Sequence, residues 1–139
     1  MRGSLFVDTS GWIANFVDRD QHHEKARRFV PLSLREYVRF ITTDYVFDEA
    51  VTRVRFQGGH QEAVQLGEVI LTSKTVTLLE IGSRLREKAW HLFRKYADQR
   101  LSFTDCTTLA VMNLYGLRDI FTFDQDFERL GYRRLPGRP

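Results

Sequence analysis

Short continuous apolar runs alternate along this chain with stretches in which apolar residues recur every three or four positions. Runs of the first kind are typical of buried parallel strands, and stretches of the second kind are typical of helices that bury one face. The predicted strands cover residues 5–8, 40–42, 76–79, 120–123 and, with a weaker pattern, 132–135. The predicted helices cover residues 11–16, 22–34, 45–57, 60–72, 82–96, 103–115 and 125–130. This alternation predicts an α/β fold in which a parallel sheet is flanked by helices.

The chain offers no natural place at which to divide it. Its 139 residues contain no repeat, low-complexity tract or linker rich in proline or serine. A chain of this length can bury a core of its own, and 42% hydrophobic with 28% charged residues is the composition of a globular protein. We therefore expect a single domain over residues 1–139.

Neither a membrane span nor a secretory leader is predicted. No apolar run approaches the ~20 residues that a span requires, and only a short apolar stretch precedes Asp8. Cys106 is the sole cysteine, so no intrachain disulfide can form, which fits a reducing compartment. We expect a cytoplasmic protein.

The positive charge is carried mainly by arginine. The net charge is +3, and the chain has 17 arginines against 4 lysines. Arginine binds phosphate with two hydrogen bonds and stacks on bases, so the bias suits a nucleic-acid partner. A compositional bias of the genome explains it equally well. The clearest basic stripe, on the helix predicted at 82–96, is either a solvated face or an RNA contact, and consists of Arg84, Lys88, His91 and Lys95.

Four acidic residues fall where a parallel sheet would gather them. Asp8 and Asp124 each end a predicted strand, while Glu49 and Asp105 lie in the opening turns of two predicted helices. Ligands of open α/β sheets bind beyond the carboxyl ends of the strands. Two carboxylates 5 Å apart repel by roughly 3 kcal/mol at an effective dielectric constant of ~20. If the four converge, a divalent metal ion is the simplest explanation for the cluster.

The first and third acids also have ordinary structural roles open to them. Asp8 could cap the helix that follows it, and Asp105 lies three residues after Ser102, which is the spacing of a capping box. Capping by Asp105 is compatible with a metal site, because the positive end of a helix favours a carboxylate. The hydroxyls of Thr9 and Ser10 could hold Asp8 in place.

The second and fourth acids each have an acidic neighbour. Glu49 could pair with Arg53 one helical turn later, and Asp48 competes with it for any role in a cleft. We favour Glu49 because it flanks the apolar face of its helix. Asp124 directly extends a strand, so it ranks above Asp126, which we keep as a further metal ligand.

Other chemistries fit the sequence less well. The four histidines lack zinc-ligand spacing, there is no glycine-rich phosphate loop, and Cys106 has no evident base partner. A phospho-accepting receiver domain also places acids at strand ends. It would need a second acid near Asp8, a mid-chain Asp at a strand end and a late Lys, whereas the middle acid here, Glu49, lies on a predicted helix. Trp12 and Phe16 could stack an unpaired base, or they could lie in the core or a partner interface.

Four segments, in this order, carry a resemblance to a known family: Phe6-Val7-Asp8-Thr9-Ser10, Thr42-Thr43-Asp44-Tyr45-Val46-Phe47-Asp48-Glu49, Leu101-Ser102-Phe103-Thr104-Asp105-Cys106 and Thr122-Phe123-Asp124-Gln125-Asp126-Phe127. With them the chain resembles PIN-domain proteins, specifically the VapC-type toxins of bacterial and archaeal toxin–antitoxin pairs. The resemblance extends over nearly the whole chain, from Leu5 to Leu135.

The resemblance implies a PIN-like three-layer sandwich with a parallel five-stranded sheet, and endoribonuclease activity that requires Mg²⁺ or Mn²⁺. The family's acidic positions fall on Asp8, Glu49, Asp105 and Asp124, and its hydroxyls on Thr9 and Thr122; whether Asp126 joins them is left open. Hydrolysis by a metal-activated water needs no protein nucleophile and leaves a 5′-phosphate and a 3′-hydroxyl. The family also implies an RNA substrate, a cognate antitoxin and a homodimer. The alternative is a non-catalytic PIN-fold module that binds nucleic acid or protein.

Overall fold

The computed structural model describes residues 2–137. Its strands are β1 (Arg2–Val7), β2 (Tyr37–Thr43), β3 (Val76–Leu79), β4 (Asp119–Phe121) and β5 (Arg133–Leu135). Its helices are α1 (Thr9–Phe16), α2 (His23–Glu36), α3 (Asp44–Gln57), α4 (His60–Thr72), α5 (Ser83–Lys95), α6 (Phe103–Tyr115) and α7 (Gln125–Arg129). The predicted parallel five-stranded sheet flanked by helices is confirmed. Among the described residues, no helix is both long and apolar enough to cross a bilayer.

The sheet reverses its direction of growth beside β1. The strand order is β3-β2-β1-β4-β5, and every pairing is parallel. After β1 the chain adds β2 and β3 on one side, and it then returns to add β4 and β5 on the other. The gap between the carboxyl ends of β1 and β4 is therefore the topological switch point, where open α/β sheets bind ligands.

Strand β1 is longer than its apolar run. The prediction began it at residue 5, but Arg2 already pairs with Tyr37, and Ser4 pairs with Arg39. The neighbouring backbone of β2 supplies the hydrogen bonds, so polar residues continue the strand where the hydrophobic pattern ends. Conversely, β4 ends at Phe121, two residues before the predicted boundary.

The core is formed by the middle of the sheet and the helices packed on it. Leu5, Phe6 and Ile120 are fully buried, and Val7 is 1% exposed. Helix α6 is buried continuously from Cys106 to Met112 and is covered on its outer side by α5. Helix α5 packs through one apolar stripe, because Ala89 is buried while Leu85, Leu92 and Tyr96 pack against the core.

Trp12 belongs to this core. Its ring is buried, and its Nε1 donates a hydrogen bond of 3.2 Å to Thr42 Oγ1, which in turn donates to the carbonyl oxygen of Val7. Phe16 is partly buried against the same core and lines an apolar cavity of about 280 Å³ together with Trp12. Trp12 therefore has no free face on which a base could stack.

Helix α1 approaches the backbone of β4 more closely than a side chain would allow. A Cβ atom at Gly11 would lie 2.7 Å from the carbonyl oxygen of Phe121 and 3.1 Å from its ring. This close approach holds the start of α1, and with it Asp8, against the end of β4. Only glycine fits at Gly11 without a backbone shift.

We expect Gly11→Ala to lower the free energy of unfolding by ~1–3 kcal/mol, because the new methyl group meets a backbone oxygen that cannot rotate away. Gly67→Ala on α4 is the matched control, since a Cβ there would have neighbours no closer than 3.9 Å. That change should stabilise the helix by ~0.5–1 kcal/mol. Chemical denaturation of both variants measures the difference, and equal effects would contradict the close packing of α1 on β4.

Candidate active site

Asp8 lies at the switch point, directly after β1, and its side chain is 4% exposed. It occupies the N-cap position of α1, but its side chain makes no capping hydrogen bond. Its Oδ2 instead accepts a hydrogen bond of 2.9 Å from Thr122 Oγ1. No donor among the described residues meets hydrogen-bond geometry at its Oδ1, which is buried. Burying a carboxylate oxygen without a hydrogen bond is unfavourable unless a proton or a cation binds it.

A chain of hydroxyls fixes the Asp8 carboxylate. The N–H of Phe123 donates to Ser10 Oγ at 2.9 Å, and Ser10 Oγ lies 3.0 Å from Thr122 Oγ1. Because Thr122 donates its only hydroxyl proton to Asp8, Ser10 donates to Thr122. Thr122 also accepts from the N–H of Asp124 at 3.1 Å. Thr122 thus orients the first acid of the set and is held beside the last.

The two hydroxyls that follow Asp8 are used differently. The Ser10 hydroxyl contacts that of Thr122, the residue after β4, and so links α1 to the end of that strand. This contact depends on the pairing of β1 with β4, which the sequence did not reveal. The hydroxyl of Thr9 is buried and has no hydrogen-bond partner among the described residues. The hydroxyls of Thr9 and Ser10 were both considered as holding Asp8, and the resemblance implied Thr9, whereas the hydrogen bonds observed are made by Ser10.

Asp105 caps α6 and lies at the same edge of the sheet. Ser102 Oγ accepts from the N–H of Asp105 at 3.0 Å, and Asp105 Oδ2 accepts from the N–H of Ser102 at 2.9 Å. This reciprocal pair is the predicted capping box. The cap occupies one carboxylate oxygen, fixes the side chain at the start of the helix and leaves Oδ1 outside these two bonds.

Burial and mutual repulsion shift the titration of these acids. Burial, followed by the charge of Asp105, raises the pKa of Asp8 from 3.8 to about 7, while the Thr9 N–H and the Thr122 hydroxyl partly oppose the shift. Burial likewise raises the pKa of Asp105 to about 6, and the charges of Asp124 and Glu49 add to that rise. These four carboxylates (the acid cluster) are therefore close enough to repel one another.

Glu49, rather than Asp48, faces the acid cluster. Glu49 is half-buried on α3 and its charge raises the pKa of Asp105, whereas Asp48 is exposed. Within residues 2–137, Glu49 forms no ion pair with Arg53. The preference for Glu49 over Asp48 agrees with this placement, although its role as a metal ligand stays a prediction.

Asp124 and Asp126 are both engaged at the start of α7. Asp124 Oδ1 caps this helix by accepting from the N–H of Asp126 at 2.9 Å, and burial is the main cause that raises the pKa of Asp124. Asp126 Oδ1 lies 2.6 Å from Arg129 Nη1. The charge of Asp126 is thus balanced by an arginine, which leaves Asp124 as the stronger candidate ligand of the two.

The acid cluster fits a hard divalent cation by its chemistry. Its ligand atoms are all oxygens, as Mg²⁺ and Mn²⁺ prefer, and the buried Asp8 Oδ1 has no hydrogen-bond partner in the part of the chain that the structure describes. Over residues 2–137, however, no group of three or more His, Cys, Asp or Glu side chains is already arranged to hold a metal ion. The fold brings the acids within electrostatic reach of one another, and their side chains would have to move closer to share one ion.

Comparison with known proteins places this arrangement in a family. A model of the PIN domain matches residues 5–132. The chain belongs to the PIN-domain family. The acid cluster is therefore at the switch point of a PIN domain, and the receiver-domain alternative is wrong.

Among the relatives of this PIN-domain chain is the 23S rRNA-specific endonuclease VapC20 from two strains of Mycobacterium tuberculosis. It is 31% identical over 128 residues, which cover 92% of this chain and 95% of that protein. The crystal structure of M. tuberculosis VapC20, described as a sarcin-ricin loop cleaving toxin, has a TM-score of 0.86 at 30% identity and covers 97% of this chain and 99% of its own. The resemblance to VapC-type toxins is confirmed.

A more distant PIN-domain neighbour shares the fold alone. The structure of VapBC2 from Rickettsia felis, bound to a DNA fragment from their promoter, has a TM-score of 0.69 at 9% identity. The match covers 94% of this chain and 96% of that chain. The architecture described here is thus retained where few residues are shared.

The raised pKa of Asp8 predicts a stability that falls as the pH rises. The folded metal-free protein holds a proton on Asp8 up to a pKa of about 7, whereas the unfolded chain releases it near 3.8. Stability should therefore decline between about pH 4 and 7, by a few kcal/mol at most, because each pKa unit is worth ~1.4 kcal/mol. Asp8→Asn should remove the part of this decline that Asp8 causes and leave the smaller part that Asp105 causes, whereas Asp48→Asn should leave the whole decline in place. Chemical denaturation in EDTA at several pH values measures it, and parallel curves for wild type and Asp8→Asn would contradict the prediction.

Proposed function

We propose that this protein is a Mg²⁺- or Mn²⁺-dependent endoribonuclease and the toxin of a type II toxin–antitoxin pair. The observation that carries the proposal is the buried Asp8, whose Oδ1 has no hydrogen-bond partner among residues 2–137 and whose pKa is raised by burial and by the charge of Asp105. The family and the similarity to an rRNA-specific endonuclease supply the reaction class.

Asp8, Glu49, Asp105 and Asp124 would hold the cation. When bound, it would supply positive charge to the phosphoryl oxygens and lower the pKa of a water molecule. The chain's own groups keep the acids in position. Thr122 holds Asp8, and Ser102 holds Asp105 through the capping box. Asp126, already paired with Arg129, is the weakest candidate among the ligands proposed.

The proposed substrate is RNA, since VapC20 of M. tuberculosis is a 23S rRNA-specific endonuclease and the two chains align over nearly their full length. At 31% identity we extend the substrate class, RNA, from VapC20 to this chain, but we do not extend the cleavage site. A cognate antitoxin follows from the resemblance to VapC-type toxins. The homodimer and the cytoplasmic location, where a ribosomal substrate would be met, stay predictions.

A non-catalytic PIN-fold module is the second candidate. The observation in its favour is that the acids of residues 2–137 are not already arranged as metal ligands. Against it stands the raised pKa of both Asp8 and Asp105, because a binding module gains nothing from burying two carboxylates beside each other.

Cleavage of structured RNA should require Mg²⁺ or Mn²⁺, stop with EDTA and leave 5′-phosphate ends. Asp8→Asn and Glu49→Gln should each lower the rate by more than about a hundredfold, since even groups that only support a metal ligand contribute 10- to 100-fold. Asp48→Asn is the matched control, being an exposed acid next to Glu49, and should cut at the wild-type rate. Gel analysis of end-labelled RNA measures all three. Equal activity in wild type and Asp8→Asn would indicate a contaminating nuclease or another site.

Metal binding should also be visible without any reaction. At pH 8, where Asp8 is ionised, Mn²⁺ at a hundred times its dissociation constant should stabilise the fold by ~2.7 kcal/mol. Thermal or chemical unfolding measures this gain, with NaCl at matched ionic strength as control. The gain should vanish in Asp8→Asn. Equal stabilisation of both proteins by Mn²⁺ would mean that the ion binds elsewhere.

A further inference from the structure

Four aromatic rings form a continuous run on the surface beside the acid cluster. Trp90 and Phe93 stack with their centroids 5.7 Å apart and their planes 16° from parallel. Both contact Phe103, at 6.5 and 6.1 Å, and Phe103 contacts Tyr45 at 6.1 Å. We call these four residues the aromatic run.

The inner end of the aromatic run adjoins the acid cluster. Phe103 is the first residue of α6, two positions before Asp105. Tyr45 lies in the first turn of α3, four positions before Glu49 and therefore one helical turn from it. The run thus begins between two candidate metal ligands and leads outward over α5.

The outer end of the aromatic run is open to solvent. Trp90 is 53% exposed and Phe93 is 41% exposed, whereas the other tryptophan, Trp12, is 4% exposed. Helix α5 packs on the core through a different stripe, where Ala89 is buried. The two outer rings rest on Phe103 at the start of α6 but leave much of their surface in water, and large aromatic side chains are seldom left stacked in water without a partner.

The charge of α5 indicates which kind of partner would bind these rings. Helix α5 contains five arginine and lysine side chains and one glutamate, a net charge of +4, so the rest of the chain carries −1. Arg86 and Arg94, four positions from Trp90, share its helix face with Glu87, three positions before it, so that face carries a net charge of +1. Among residues 2–137, neither arginine is paired with a carboxylate. A second copy of the chain that docked through the same face would bring like charge onto it. A nucleic acid, with its negative phosphates and flat bases, would complement both the arginines and the aromatic rings.

We propose that Trp90 and Phe93 stack unpaired bases of the RNA substrate while Arg86 and Arg94 bind its phosphates, so that the strand passes over Phe103 to the acid cluster. This inference rests on the proposed ribonuclease function and adds a surface that selects single-stranded RNA. Every base has a face that can stack, so the surface would favour unpaired loops over paired stems. Trp90 and Phe93 are binding residues and take no part in the chemical step.

The fluorescence of Trp90 tests the stacking directly. The chain has two tryptophans, and Trp12 is buried, so a titration with RNA reports on Trp90. The Asp8→Asn protein is titrated in Mg²⁺ with an RNA hairpin that has an unpaired loop, and with a blunt duplex of the same length. Quenching by the hairpin, weak quenching by the duplex and no response in Asp8→Asn combined with Trp90→Phe support stacking. Equal quenching by hairpin and duplex, or none by either, would overturn it.

Affinity and cleavage provide the second measurement. Trp90→Ala and Phe93→Ala should each weaken hairpin binding by roughly 5- to 100-fold and raise KM with little change in kcat, while Trp90→Phe restores most of the affinity. Phe56→Ala is the matched control, since Phe56 is 81% exposed and lies on α3 outside the aromatic run. An equal effect of Phe56→Ala would overturn the assignment.

The salt dependence of binding tests the two arginines. Replacing both Arg86 and Arg94 with glutamine should lower the slope of log affinity against log salt by about 1.4, because each phosphate contact with a single strand contributes ~0.7. Arg35→Gln on α2 should leave the slope unchanged. An unchanged slope in the double variant would overturn their role.

The failures of the two proposals are distinguishable. If Trp90→Ala cuts RNA with wild-type kcat and KM, the proposed stacking surface is refuted, while the proposed ribonuclease function is supported. If RNA quenches the fluorescence of Trp90 but no metal-dependent cutting occurs, the proposed ribonuclease function is refuted, while the proposed stacking surface is supported. If light scattering shows that Trp90→Ala dissociates a dimer or releases a bound antitoxin while RNA binding is unchanged, the face is a protein interface and the stacking surface is overturned.

Discussion

Burial of carboxylates that the fold brings together, and the repulsion between them, is the constraint on which the candidate site depends. The parallel sheet places Val7 opposite Phe121, so the residues that follow these two strands meet at one edge. Asp8 is buried there, and its ionisation is opposed first by the loss of water and then by the charge of Asp105. A fold retains such an arrangement at the expense of stability when the charge is needed for binding or catalysis.

Helix capping and the candidate chemistry use the same side chains. Asp105 and Asp124 each cap a helix while their charges act on the acid cluster, and Asp8 holds the N-cap position of α1 without making the capping bond. The structural roles considered from the sequence were therefore not alternatives to a site. Caps fix carboxylates at helix N-termini, and an anionic cluster is least unfavourable beside those positive ends.

The predictions from sequence held where the information is local. The apolar run that predicted β1 located the strand end beside Asp8, whereas β4 ends two residues before its predicted boundary, and the spacing of Ser102 and Asp105 predicted the capping box. Features that depend on contacts between distant parts of the chain could not be predicted from the sequence. The first three residues of β1 are polar and belong to the strand only because β2 pairs with them.

The surface of α5 shows the same limit. The sequence singled out its basic stripe from Arg84 to Lys95, but the exposed aromatic rings lie on another flank, with Arg86 and Arg94. That Trp90 and Phe93 meet Phe103 depends on how α5 packs on α6, which no periodicity within one helix can reveal. Trp12, which the sequence left between base stacking and the core, lies in the core because Thr42 accepts its indole N–H.

Nuclear magnetic resonance of the Asp8 side-chain carbon, recorded as a function of pH in the metal-free protein and again with Mg²⁺, tests the central claim most directly. The account predicts that Asp8 titrates near pH 7 without metal, and that Mg²⁺ lowers this pKa because a bound cation favours the ionised carboxylate. An Asp8 that titrates near its ordinary value of 3.8, or one that Mg²⁺ leaves unshifted, would contradict the account.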